Sequence, residues 1–183
     1  TQNFTTATDV YNVAIGHGAG GNITTGGNNT LIGGQTGDAL TDGTFNTFVG
    51  KDAGGAATTG DYNTFIGTGT IAGTGNFGAG SLVTTGSKNV ILGGYNGNQN
   101  SLDIRTSSNN IVLSDGDGNP RIVANSSGQI SVGSTFSFGG TGYGTTSFTV
   151  NNGGADYTAA FRANTTTAGN AYGLFIHYPS VTP

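Results

Sequence analysis

The residues best suited to bind a cation lie in one short segment, where Asp115, Asp117 and Asn119 alternate with glycines. Oxygen ligands at odd positions are typical of calcium loops. An EF-hand loop also needs a Glu at its twelfth position and flanking helices. This chain contains no Glu, and the segment lies between two predicted strands. Asp-Gly and Gly-Asn steps instead favour a hairpin turn, so we predict a turn without a metal.

Paired carboxylates could cleave glycans if two of them stood about 5–10 Å apart in a groove. The histidines His17 and His177 have no evident partner for acid–base or nucleophilic chemistry. The aspartates fall in predicted turns that offer no apolar setting to shift a pKa. These are Asp38, Asp42, Asp52 and Asp61. Solvated surface is the simpler interpretation of all these groups, so we predict a protein that is not an enzyme and uses no cofactor.

Aromatic side chains with polar tips are common in glycan and protein contacts. They cluster near the end of the chain, and we take five residues as candidates for receptor binding: Tyr143, Tyr157, Tyr172, His177 and Tyr178. The alternative is that strand alternation buries some of these aromatics in a small domain, with pairs such as Tyr172 and Phe175 in its core. Alternation favours this second interpretation, since it buries one side of any strand.

The elements that carry these groups follow a repeat. The motif Asn-x-apolar-Ile/Val-Gly recurs at a constant spacing of 17 along the chain, beginning at Asn12, Asn29, Asn46 and Asn63. Strand alternation places Asn and the middle apolar residue on one face of each unit and the Ile or Val on the other. Small apolar residues and a turn ending in Gly complete the unit. A fixed period of this length indicates stacked structural units.

Composition agrees with an all-β chain. Glycine supplies 36 of the 183 residues, and Cys, Met and Trp are absent. The net charge of −4 is spread without a basic run, so we expect no nucleic-acid partner. No apolar stretch approaches the ~20 residues of a membrane span, so we expect no membrane insertion. The missing initiator Met, and a strong predicted strand just before Pro183, predict a piece of a longer chain.

The period divides the chain into three predicted parts. Residues 1–100 form the repeat array, in which the step of 26 from Asn63 to Asn89 predicts an inserted loop. Residues 101–133 read as strand, turn, strand, turn and strand, a hairpin connector. Residues 134–183 predict the start of a small β domain.

Each repeat unit has one strong apolar cluster and two small apolar positions, so we expect a single chain to bury only a thin core. Several copies around one axis would convert the exposed apolar edges into an interface, and three-fold symmetry is a natural closed solution. We therefore predict a homotrimer whose shared core contains Ile15, Ile32, Val49, Ile66 and Leu92.

Threonine columns follow the same period. They contain Thr30, Thr47 and Thr64, and Thr24, Thr41 and Thr58. Such ladders can bind ice, but β-branched side chains also pack well on themselves in any stack. One Thr per column favours packing.

The segment Tyr11 to Ala19 resembles the repeat of trimeric autotransporter adhesin heads, which form a left-handed parallel β-roll in an intertwined trimer. The longer unit, Asn-Thr-Phe-Ile-Gly followed by Ala-Gly and Thr-Thr-Gly, resembles repeats of bacteriophage tail fibres, particularly those of marine phages. The segment Asn110 to Gly133 resembles the strand-rich stretch that follows those repeats. Together the resemblance covers roughly residues 10–133, and the period of this chain departs from the shorter adhesin repeat.

This resemblance implies a structural and adhesive protein of the virion, a homotrimeric tail fibre. Its partners would be other tail proteins and a glycan or protein of the host surface. Two alternatives remain: a bacterial surface adhesin or extracellular filament subunit, and a glycan-depolymerising tailspike.

Overall fold

The computed structural model describes residues 10–71 and 75–132. Every helix or strand in these residues is a β-strand, which confirms the all-β prediction. The predicted small domain of residues 134–183, with all five candidate receptor-binding residues, lies outside the described residues. In chain order the strands are β1 Val13–Ile15, β2 Thr30–Ile32, β3 Thr47–Val49, β4 Thr64–Ile66, β5 Thr68–Ile71, β6 Gly75–Gly78, β7 Val90–Leu92, β8 Asn98–Gln99, β9 Leu102–Asp103, β10 Ile111–Ser114, β11 Pro120–Ala124 and β12 Ile130–Val132.

Six of these strands stack in parallel and form a β-solenoid, as the period predicts. The order in the main sheet is β1, β2, β3, β4, β7 and β10, each strand contributed by one coil of the chain. The register is unbroken, since Leu31 lies beside Phe48, Phe48 beside Phe65, and Phe65 beside Ile91. Equivalent residues of successive coils therefore form straight columns along the stack.

The core is built from the middle residue of each strand and from the wall opposite the sheet. The strand column is completely buried in coils two to six and contains Leu31, Phe48, Phe65, Ile91 and Val112. The opposite wall contributes Ile23, Leu40, Ala57, Val83 and Ile104. The rings of Phe48 and Phe65 stack with centroids 4.9 Å apart. Each large side chain contributes about 1.5–3 kcal/mol by its burial, so one chain has a more substantial core of its own than the sequence argument allowed.

The repeated asparagines form a buried ladder that joins the coils. The Oδ1 of Asn29 accepts the backbone N–H of Asn46 at 2.9 Å, and the Oδ1 of Asn46 accepts that of Asn63 at 2.9 Å. In the first five coils each Nδ2 donates to a carbonyl in the turn that closes the same coil, as Asn46 does to Gly60 at 2.8 Å. The ladder runs from Asn12 to Asn110. Asn recurs because its side chain both accepts and donates, and so satisfies two backbone groups that the fold buries.

The glycine that ends the motif is required by the closeness of the coils. Gly33 has a φ of +140°, and a Cβ at this position would lie 2.4 Å from the carbonyl oxygen of Gly50 in the next coil. A Cβ on Gly50 would likewise lie 2.5 Å from the carbonyl oxygen of Gly67, and a Cβ on Gly67 would lie 2.4 Å from that of Gly93. A side chain here would push adjacent coils apart at the sheet edge.

Two coils are longer than the rest, and each contains an extra hairpin. The step of 26 from Asn63 to Asn89 accommodates β5 and β6, which pair antiparallel. The step of 21 from Asn89 to Asn110 accommodates β8 and β9. The expectation that the array ends near residue 100 is therefore wrong, since β10 pairs in parallel with β7 as a sixth coil. Among the described strands of the main sheet, β11 and β12 are the antiparallel additions.

Candidate interaction surface

The outward-pointing residues of the stacked strands form an exposed apolar surface, which we call the outer face. It consists of three columns of residues that run along the stack. In coil three, Val49 stands in the column that ends each strand, Thr47 in the middle column and Phe45 in the column just before the strand. The end column contains the five residues predicted to form a shared core. Ile15 is 59% exposed, Ile32 37%, Ile66 40% and Leu92 38%, while Val49 is half-buried. One chain alone does not cover these side chains, so their burial requires a partner.

Aromatic residues extend the outer face on one side. Phe45 is 49% exposed and Tyr62 54%, and their rings stack with centroids 5.0 Å apart. Both have a φ of 57°, which turns the side chain outward immediately before the buried Asn. Tyr11 occupies the same column and is 75% exposed. Between the aromatic and end columns lie half-buried threonines in register, such as Thr47 beside Thr64.

The outer face runs the length of the described sheet. Beyond coil five it continues through Ile111, Ile122 and Ile130, which are 48%, 39% and 72% exposed. Across its three columns in the six described coils, Lys88 is the single charged side chain. Exposed apolar side chains that line up from one coil to the next mark candidate interaction sites. The outer face is therefore the main candidate functional site.

The Asp115 segment is a tight turn between β10 and β11 whose carboxylate is already occupied. Its Oδ1 accepts the backbone N–H groups of Asp117 at 3.1 Å and Asn119 at 2.9 Å. Its Oδ2 accepts the Nε of Arg121 at 3.1 Å. Although burial raises it, the pKa of Asp115 is lowered to about 2 by the hydrogen bonds from Arg121 and Asn119. This geometry supports the turn interpretation, and the described residues contain no cluster of three His, Cys, Asp or Glu side chains suited to a metal.

The other ionisable candidates are dispersed. Asp61 stabilises the coil contact, because its Oδ1 accepts the backbone N–H of Thr44 at 2.6 Å. Asp52 forms an ion pair with Lys51. Burial raises the pKa of Asp38, and the charge of Asp52 adds to that effect. Asp42 is exposed and lies beside the Thr41 hydroxyl, and His17 is exposed. None of these contacts forms an arrangement recognisable as a catalytic pair.

The second threonine column uses its hydroxyls within the stack. Thr24 Oγ1 donates to the carbonyl oxygen of Thr41 at 3.2 Å, and Thr41 Oγ1 donates to that of Thr58 at 3.2 Å. The same pattern continues through Thr84 to Arg105. These hydroxyls join adjacent coils, which favours a packing role over an ice-binding one.

Sequence reasoning found the columns but missed what the asparagines do. The signal was present, because Asn occupies the same place in all six coils, including the long ones. No protein-family model, no curated protein and no solved structure matches the chain. In the part of the chain that the structure describes, there is no apolar helix of membrane-spanning length.

Proposed function

We propose that this chain is a structural and adhesive fibre protein, a phage tail fibre in which three copies form a shaft and present a host-receptor-binding surface. The observation that carries the proposal is the outer face, a nearly uncharged stripe whose end column is apolar in every coil and which follows the solenoid from coil to coil. A partner that covers it must be elongated, and its apolar groups must recur with the same spacing as the stacked strands of the solenoid.

A second and a third copy of the same chain meet that requirement. Successive coils rise by about 4.8 Å, the spacing of hydrogen-bonded strands, so a parallel copy offers an apolar side chain at every level of the stack. Cyclic symmetry then covers every copy equally and leaves no outer face exposed. The resemblance of the repeat to trimeric adhesin heads and phage tail fibres supports three as the number of chains.

The mechanism is mechanical and multivalent. The coils are tied together by the Asn ladder and by the stacked core, which makes a stiff rod, and three identical receptor sites would gain avidity from being joined. The virion tail and a host-surface glycan or protein are the partners that this role requires. The aromatic residues near the chain end remain the candidates for receptor contact.

The native mass and shape of the purified protein test this proposal. Sedimentation equilibrium should give three times the 18.1 kDa of one chain. Sedimentation velocity should report an elongated particle. A folded particle with the mass of a single chain at micromolar concentration would contradict the fibre and would leave a single-chain solenoid.

A further inference from the structure

The chain departs from its compact coils in three places, and the third of these contacts each of the other two. One is β5 in coil four, another is the β8–β9 hairpin in coil five, and the third is the turn of residues 115–119. A Cβ on Gly69 would lie 2.7 Å from the Cα of Gly94, and one on Gly94 would lie 2.6 Å from the carbonyl oxygen of Gly116. Such approaches require glycine, so β5, Gly94 and the turn pack backbone against backbone. The hairpin reaches the turn through the side chain of Gln99, since a Cβ on Gly118 would lie 2.5 Å from its Oε1.

Hydrogen bonds join two of these segments into one surface, which we call the loop platform and define as residues 98–103 and 115–119. Gln99 Nε2 donates to the carbonyl oxygen of Asp117 at 2.8 Å, and Asn100 Nδ2 donates to Asn119 Oδ1 at 2.9 Å. Beneath the hairpin, the buried Tyr95 hydroxyl donates to the carbonyl oxygen of Leu102 at 2.8 Å. The platform is therefore anchored to the core of the solenoid.

Insertions into a repeat protein map to loops on one face, which is often the face that binds. Loops held on a rigid scaffold are where binding residues concentrate. The loop platform meets both conditions, whereas the regular coils have only short turns. We propose that it is a second binding surface, separate from the outer face, and that its ligand is a neutral, hydroxyl-rich glycan.

The chemistry of the exposed side chains indicates this ligand class. The exposed residues of the platform's two segments are polar or glycine, with side chains supplied by Asn98, Asn100, Ser101, Asp103 and Asp117. Amide and hydroxyl groups donate and accept at once, as sugar hydroxyls do. An apolar protein surface would find no exposed apolar side chain to pack against in these two segments.

Charge also argues for a neutral ligand. Asp103 is held by Arg105 through two hydrogen bonds of 3.0 and 2.7 Å, and Asp115 by Arg121. Asp117 is exposed and has no ion pair among the described residues. The platform therefore offers one free carboxylate, which can accept from sugar hydroxyls but would repel a polyanion.

The proposal rests on the adhesive part of the proposed function and is tested with the full chain. The probe is an array of neutral oligosaccharides built from hexoses and N-acetylhexosamines, followed by calorimetric titration of the best binder. Asn98→Ala/Asp117→Ala should weaken binding about tenfold or more, as the loss of one or two hydrogen bonds predicts. Asn22→Ala/Asp42→Ala removes the same two exposed groups from ordinary coils and should leave the affinity within about twofold.

A second variant, Ser101→Gly, changes the hairpin tip without straining it. Ser101 has a φ of 65°. Glycine adopts such a φ freely, so the backbone of the tip is kept while the hydroxyl is lost. This variant should also weaken binding.

Absence of binding to every oligosaccharide at millimolar concentration, or equal losses in the platform and control variants, would overturn the proposal. Sedimentation mass is measured on the same samples, so a trimer that binds no glycan would reject the platform and leave the fibre proposal intact.

Discussion

Removal of one rung of the Asn ladder should destabilise the solenoid strongly, and Asn46→Ala is the clearest test. The substitution removes the acceptor of the Asn63 backbone N–H and the donor to the Gly60 carbonyl oxygen. Asn46, Gly60 and Asn63 are all buried. A buried polar group left without a partner costs about 1–3 kcal/mol, so two such groups should cost about 2–6 kcal/mol. That is a large share of the ~5–15 kcal/mol by which a typical domain is stable.

The assay is urea unfolding followed by far-ultraviolet circular dichroism, with Asn22→Ala as the matched control. Asn22 is exposed, and its Nδ2 donates to the carbonyl oxygen of Asp38 at the surface. The control should lose no more than about 0.5 kcal/mol in the free energy of unfolding. If Asn46→Ala lost no more than the control does, the ladder would not be what holds the coils together, and this reasoning would fail.

Three further predictions follow from the same geometry. Three aspartates on the outer face should separate the chains while leaving each coil folded. A carboxylate in a shared dry interface costs several kcal/mol, whereas a strand position outside the core of the chain costs at most about 1 kcal/mol. The substitutions are Ile32→Asp, Val49→Asp and Ile66→Asp, and a particle of unchanged native mass would rule out the interface. Gly54→Ala should lower the thermal midpoint, because its φ is +62° and a Cβ would lie 2.5 Å from the Phe48 ring. Gly116→Ala is its control, since a Cβ there would meet nothing within 4 Å, and an equal loss in both variants would show that the Phe48 contact is not the cause. The Asp115 carboxylate should stabilise the β10–β11 turn fully above pH 3.8 and lose that effect as pH falls towards about 2. Arg121→Ala should move the carbon-detected NMR titration of Asp115 to higher pH, and an unchanged titration would show that Arg121 does not set this pKa.

The stack was predictable because its signal is periodic. Alternation identifies Thr47–Val49 as a strand and places Asn46 with Phe48 on one face. Alternation does not say which face is inside, since Phe48 and Val49 are both apolar. The Asn46 side chain bonds to adjacent coils inside the stack, and Phe48 lies on the same face of the strand, so Phe48 is buried too. Those bonds form only when a second coil lies alongside. That contact joins positions 17 apart in the sequence, and no single coil reveals it.

The sixth coil was harder to predict for a physical reason. The step from Asn89 to Asn110 is 21, so the regular period fails in coil five. The extra residues form the β8–β9 hairpin, and Tyr95 lies in a column otherwise occupied by small residues such as Ala53 and Ala79. The Asn column continues across the insertion, because the backbone N–H of Asn110 still donates to the Oδ1 of Asn89. Asn spacing is therefore a better guide to coils in this chain than their length.

The most direct test of the central claim is chemical cross-linking through the outer face. The chain has no Cys, so Val49→Cys supplies one thiol per copy at the middle of the end column. A short bifunctional maleimide should join copies into covalent dimers in dilute solution, whereas Asn22→Cys, outside the outer face, should yield far fewer. Efficient cross-linking of Val49→Cys alone is the result that a shared outer face predicts. Monomers in both samples, or equal yields from the two positions, would contradict it.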